Sequence, residues 1–328
     1  MSNQRHYWGY RIDKNNIPFF ESELRQGRLR QGWGYEEGQN LRNMTYDGGA
    51  KRNLAILNKV KKGDILLVPR LPTYEEVAII EATEDFDIGY QFSIDPKLED
   101  YGHIFPAKLI KQFVRNNENI AGKIRATMGN VSRFWNIDHC GEDIEAVIKF
   151  EDHALRDTIS FENRFLNNIS SAFNKSFDED QYISLVYENM LHDFSNQEWE
   201  YALVEGLKKM LPHPITVERT GGILEYEHGT DILIRLPSLL GTEYLIAIQV
   251  KDYNGIVNHE PLKQLAKAEQ YWNSEGNKLI DKILIITKSI REENLKLLEN
   301  EYGIKIIFAK ELKELIGKIA DSYFIRPN

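Results

Sequence analysis

The stretch from Ser195 to Asp321 has a rhythm that few folds accommodate. Ser195, with Glu198 three residues later, has the capping-box pattern that opens a helix. That helix is expected to run over about 196–211, stopped by Pro212. Strand runs follow at 215–220, 231–236 and 244–251, then a helix over 261–272. Strand (283–287), helix (291–301), strand (304–308) and helix (310–321) then alternate. A helix, a run of strands and then alternation specify a mixed α/β sheet flanked by helices on both faces.

The first part of the chain reads differently. Strand candidates at 6–12, 65–69, 76–82, 89–93 and 103–106 are short, and helical spacing is confined to 19–26, 50–61 and an amphipathic stretch reaching Val114. This set suggests a small β-barrel or curled sheet with peripheral helices, an α+β arrangement. Helical spacing fills 145–150, 161–173 and 181–190, interrupted by Asn167, Asn168, Asn174 and the Asp178-Glu179-Asp180 run. With 328 residues, 42% of them hydrophobic, the chain is long enough for two cores. The expected organisation is a barrel-like domain over 1–140, a helical linker over 141–194 and an α/β domain over 195–328.

Charge separates the same two halves. The net charge of −9 lies wholly in residues 151–328, because residues 1–150 carry equal numbers of each sign. An acidic domain repels phosphate overall, yet clustered carboxylates can hold a divalent metal. Any contact with DNA must then be local or metal-assisted. The single Cys140 excludes an internal disulfide and a cysteine zinc site. The eight histidines show no paired ligand spacing, and no Gly-x4-Gly-Lys-Ser loop is present, which argues against zinc and against ATP or GTP hydrolysis. No run of about 18 apolar residues could cross a membrane. The polar, aromatic N-terminus lacks a secretory core, so a cytoplasmic location is expected.

The residues that carry chemistry are Thr220-Gly221-Gly222, His228-Gly229-Thr230-Asp231 and Ile248-Gln249-Val250-Lys251. Asp231 opens an otherwise apolar strand, where an unpaired buried carboxylate is costly. Strand alternation places Gln249 and Lys251 on one face of 244–251 and Ile246, Ile248 and Val250 on the other. Nineteen residues separate Asp231 from Lys251, enough for a hairpin that sets their strands side by side. A carboxylate, an amide oxygen and an ammonium so placed fit phosphodiester hydrolysis. Asp231, the Gln249 side-chain oxygen and the Val250 carbonyl would bind Mg²⁺, with Mn²⁺ the alternative, and Lys251 would orient or deprotonate the attacking water. The plainer reading is a structural ion pair between Asp231 and Lys251. His228, beside Gly229, reads as a turn residue rather than a ligand.

With Trp199-Glu200 on the preceding helix, the order of these motifs resembles the Mrr-type branch of the PD-(D/E)XK nuclease superfamily, over about 195–310. That branch is similar in having Gln in place of Glu two residues before the Lys. The resemblance implies a helix glutamate at Glu200 and a further site glutamine at Gln264. Glu200 could instead be a first-turn residue on the helix dipole, and Gln264 a surface residue. Mrr-like chains often carry Asp-x-Gly-x-Asp; here Glu227 stands at the first place, which leaves its role open.

Aromatic residues crowd the first half: Trp8, Trp33 and Trp135, with Tyr7, Tyr10, Tyr35, Tyr46, Tyr90 and Phe92. Arg30-Gln31-Gly32-Trp33-Gly34, Gly63 to Pro69 and Tyr101 to Pro106 make residues 5–137 similar to a PUA-superfamily domain of the EVE or YTH sort. The resemblance implies a pocket that holds a flipped modified base. Trp8, Trp33 and Tyr90 are the expected walls, since aromatic faces stack on any base; each could equally be a core residue. Arg25, Arg28 and Arg30 either touch phosphates or form a solvated helix end.

Together these readings predict a Mg²⁺-dependent DNA endonuclease. Its first domain would read a modified base in double-stranded DNA and its second would cut, in modification-dependent restriction of foreign DNA such as phage. Two cuts require two sites, so a homodimer on DNA is expected. The alternatives are a restriction endonuclease that reads an unmodified sequence and a nucleic-acid-binding protein with an inert nuclease fold.

Overall fold

The computed structural model describes residues 5–43, 49–222, 225–238, 241–299 and 302–324; Tyr46 lies outside them. The chain forms two compact units, Met1–Ile159 and Ser160–Asn328.

Unit 1 contains β1 (Tyr7–Tyr10), α1 (Ile17–Arg25), β2 (Arg28–Gln31), α2 (Leu54–Lys59), β3 (Ile65–Pro69), β4 (Glu76–Ala82), α3 (Phe86–Gly89), β5 (Gln91–Phe92), β6 (His103–Val114), α4 (Gly122–Thr127), β7 (Phe134–Asn136) and α5 (Gly141–Lys149). The strand order is β2-β6-β4-β3-β1-β7, with β5 also paired to β6. The short strand and amphipathic stretch expected at 103–114 are one continuous strand, which lines up against β4 with a single shift in register. Alternate residues of β3 enter different cores. Leu66 and Val68 pack with Phe20 and Leu24 of α1, while Ile65 and Leu67 pack with Ile124 of α4 and Ile144 and Val147 of α5. Burial on both faces is why β3 is apolar without interruption.

Unit 2 contains α6 (Phe161–Lys175), α7 (Glu179–Asp193), α8 (Gln197–Met210), β8 (Thr216–Arg219), α9 (Glu225–His228), β9 (Ile232–Pro237), β10 (Glu243–Lys251), α10 (Glu260–Ala266), α11 (Ala268–Trp272), β11 (Asn277–Ile286), α12 (Leu295–Leu298), β12 (Lys305–Ile307) and α13 (Ala309–Ser322). The sheet order is β12-β11-β10-β9-β8. β8 with β9 and β9 with β10 pair antiparallel, and β11 and β12 extend the sheet in parallel from β10. The mixed α/β sheet with helices on both faces is therefore present. One core joins the sheet to α6, α7, α8 and α13; the other joins it to α10, α11 and α12.

The expected helical linker is corrected. Its residues are divided between the cores: Ile144 and Val147 belong to unit 1, whereas Phe165, Ile169, Val186 and Met190 are buried in unit 2. Each such large apolar side chain contributes roughly 1.5–3 kcal/mol on burial, so these helices are structural rather than spacers. The start of α8 is also shifted. Asn196, at φ +50, is its N-cap, and half of the expected capping box forms: the Ser195 N–H donates to the Glu198 carboxylate at 3.3 Å.

Candidate active site

The β9–β10 hairpin builds the site. Its last antiparallel pair is Ile232 with Ile248, so Gln249 stands opposite Asp231 one step further on. Backbone groups alternate along β10. The Ile248 carbonyl accepts the Asp231 N–H at 2.9 Å, and the Val250 N–H donates to Asp231 Oδ2 at 2.7 Å. The Lys251 carbonyl faces the opposite edge and accepts the Thr287 N–H at 3.1 Å. The Val250 carbonyl shares the direction of its own N–H and so opens towards Asp231.

Asp231 and Gln249 are both fully buried. The Gln249 amide donates to Gln264 Oε1 at 3.1 Å, which leaves its own Oε1 as the free end. Asp231 Oδ1 and Gln249 Oε1 have no hydrogen-bond partner among the described residues. Two orphaned acceptors in one buried place are costly unless a donor or cation meets them. Desolvation, with the carboxylates of Glu200 and Glu225 adding repulsion, pushes the Asp231 carboxyl up to about 8. A divalent cation would reverse that balance.

The flanking residues fix this arrangement. Gly229 has φ +63, and a Cβ there would fall 2.2 Å from the Gln264 carbonyl oxygen. Only glycine lets α10 lie this close to the turn before Asp231. His228 is a structural turn residue: its Nδ1 accepts the Thr230 N–H at 3.0 Å, and its ring lies against Tyr271 and Trp272. Burial lowers its pKa. Trp272 Nε1–H donates to Thr230 Oγ1 at 3.0 Å, tying α11 to the same turn.

Glu200 and Gln264 are thus both brought to the site. Glu200, on α8, is buried and receives Arg219 Nε at 2.8 Å. Burial raises its pKa, and Arg219 opposes the rise. Gly221 lies against the same pair: a Cβ there would fall 2.8 Å from Glu200 Oε2 and 3.1 Å from Arg219 Nη2. Lys251 Nζ lies 3.6 Å from Glu225 Oε1, so the alternative of an Asp231–Lys251 ion pair gives way to a Lys251–Glu225 pair. Glu227 is exposed and accepts from its neighbour Tyr226. Arg219 and Glu225 escaped the sequence reading, because neither falls on a motif position: Arg219 ends β8 and Glu225 opens α9.

In unit 1 the expected pocket residues part company. Trp8 is only 7% exposed, stacks on Phe134 and donates from Nε1 to Asp64 at 3.0 Å. Tyr90 is 3% exposed, and its hydroxyl donates to His103 Nδ1 at 2.8 Å while accepting the Leu41 N–H. Both are core residues, and their placement as pocket walls is corrected. Trp33 is 37% exposed, takes φ +69, and lines a cleft of about 620 Å³. Arg28 and Arg30 are both held by Glu23, and Arg25 pairs with Glu21 on its own helix. None of the three is arranged as a free phosphate contact.

Residues 191–316 match the family model of the Mrr-type catalytic domain, described as restriction endonuclease. That span contains Glu200, Asp231, Gln249, Lys251 and Gln264. A solved structure, the MspJI restriction endonuclease in complex with a 27-mer oligonucleotide, is 14% identical with a TM-score of 0.29, covering 92% of this chain and 72% of that one. No curated protein matches the chain. Unit 2 thus carries a restriction endonuclease domain around the Asp231–Lys251 hairpin, and by that domain the protein is a DNA endonuclease.

Proposed function

We propose that the chain is a Mg²⁺-dependent restriction endonuclease whose first unit, a PUA-like module, reads a modified base in double-stranded DNA. The observation that carries the cutting half is the pair of buried, unpartnered oxygens on Asp231 and Gln249 beside Lys251. Asp231, Gln249 and the Val250 carbonyl form an all-oxygen donor set, the chemistry a hard cation takes, and Mg²⁺ needs few protein ligands because it keeps several waters. When bound there, it supplies a water of lowered pKa and polarises a phosphoryl oxygen. Lys251 orients the attacking water and offsets charge developing on the phosphate. Arg219 compensates Glu200, which limits the negative charge that DNA must approach.

The reading half rests on Trp33, the one expected pocket residue that faces a cleft. Two strands require two sites, so the protein acts as a homodimer on DNA. In the described residues no helix is long and apolar enough to cross a membrane, in keeping with work in the cytoplasm. Cleavage of matched duplexes with and without modified bases, with Mg²⁺ or EDTA, tests both halves. Cutting only of modified duplex, only with metal, is expected. Cutting that persists in EDTA removes the metal reading; equal cutting of both duplexes removes the modification reading.

A further inference from the structure

The cleft beside Trp33 has an excess of donors. Arg11, Arg52 and Arg133 line it, and none of the three pairs with a carboxylate among the described residues. Arg52 and Arg133 lie 5.5 and 5.2 Å from the Trp33 ring centroid. Arg133 is half-buried, and its Nη1 is held at 2.8 Å by the neutral Asn53 amide oxygen. Gln31, only 5% exposed, also lines the cleft; its Oε1 accepts the Gly32 N–H, but its Nε2 has no partner.

The site is built rather than incidental. Asn53 Nδ2–H donates to the Gly32 carbonyl at 2.9 Å, His103 Nε2–H to the Trp33 carbonyl at 2.9 Å, and the Gly34 N–H to Asp100 Oδ1 at 2.8 Å. Three anchors therefore fix the turn that presents Trp33, and its ring lies directly on Gly49, where a Cβ would fall 1.5 Å away. The two carboxylates in the lining are already engaged: Asp100 by Gly34, and Asp13 by Asn15, Asn16 and Tyr101.

We propose that this cleft takes a nucleotide, with its phosphate at Arg52 and Arg133 and its base against Trp33, the Gln31 amide donating to the base edge. The half-buried Arg133 guanidinium, held by a neutral amide, and the exposed Arg52 beside it favour an anion, and guanidinium planes and indole rings both stack on bases. Burial and neighbouring Arg52 depress the Arg133 pKa, a destabilisation that a phosphate would relieve. The proposal rests on unit 1 being the nucleic-acid reader and adds that the recognised unit is a charged nucleotide, not a neutral base. Its source is either a nucleotide of a DNA strand or a free nucleotide.

The test uses the full chain with Lys251→Ala, so that DNA is not cut. Calorimetric titration compares deoxycytidine with 5′-dCMP, and anisotropy follows a labelled duplex. The nucleotide should bind at least tenfold more tightly than the nucleoside, and Arg133→Gln or Arg52→Gln should erase that preference. Arg133→Lys should restore part of it. Arg52 is exposed and makes no side-chain hydrogen bond among the described residues, so its variant stays informative if Arg133→Gln does not fold. A parallel tenfold loss of duplex affinity assigns the cleft to DNA; unchanged duplex affinity with lost dCMP binding assigns it to a free nucleotide. Equal affinity for nucleoside and nucleotide, or variants that change neither ligand, overturns the proposal. Equal affinity for modified and unmodified duplex, with Arg133→Gln still weakening both, removes only the modification reading.

Discussion

The β9–β10 hairpin of unit 2 and the Trp33 cleft of unit 1 hold opposite kinds of unsatisfied chemistry. At the hairpin two acceptors, Asp231 Oδ1 and Gln249 Oε1, are orphaned; in the cleft the orphaned side-chain amide atom is a donor, Gln31 Nε2, beside three arginines without carboxylate partners among the described residues. Unmatched acceptors ask for a cation and unmatched donors for an anion, since either is costly when left alone. An enzyme that grips one part of a strand and hydrolyses another needs both. The comparison also separates two kinds of residue. A charged or amide side chain on a buried strand has few reasons to be there, whereas an aromatic one has core packing as a ready explanation.

That contrast can be broken by mutation. The largest effect is expected from Lys251→Ala and Asp231→Asn, each lowering the cleavage rate by on the order of 100-fold or more while duplex affinity is retained. Full activity in either variant would contradict the site. Next, Trp8→Ala should cost about 3–5 kcal/mol of unit 1 stability, as a core deletion. Trp33→Ala should melt normally and instead lose about 1–3 kcal/mol of DNA binding, one stack's worth. A reversal of these two outcomes would place the pocket at Trp8.

A smaller effect concerns acidity in unit 2. The folded Asp231 carboxyl titrates near 8, whereas an unfolded one titrates near 4. Between those values the native state binds more protons than the unfolded one, so stability falls as pH rises. In EDTA, Asp231→Asn should therefore raise the melting temperature at pH 8, with the gain shrinking to nothing below about pH 4. A pH-independent difference would show that Asp231 is not held in this way. The smallest effect is expected at Arg25, an exposed partner of Glu21 on α1. Arg25→Ala should change stability by only about 0.3–0.5 kcal/mol and leave duplex binding unchanged; a marked loss of binding would return α1 to the DNA interface.

Much of unit 2 was legible because its signals are local. β3 and β4 of unit 1 likewise fall where their apolar runs and the flanking turn residues place them. The helices over 141–194 were legible as helices but not as core, because an amphipathic face does not say which sheet covers it. β6 was split in two by its change from apolar to mixed residues, which reflects a change in what covers the strand rather than its end.

The sequence by itself determined the hairpin chemistry. A period of two fixes Gln249 and Lys251 on one face, and the strand spacing sets Asp231 opposite, whatever surrounds them. Only the tertiary structure decided the rest. Glu225 reaches Lys251 and Arg219 reaches Glu200 across turns, and Arg11, Arg52 and Arg133 meet around Trp33 from three separate segments. Such meetings depend on how layers pack and where chains reverse, and no spacing along one element encodes them. Exposure is of the same kind: Trp8 and Trp33 are the same residue type, and only their surroundings make one ring core and leave the other facing a cleft.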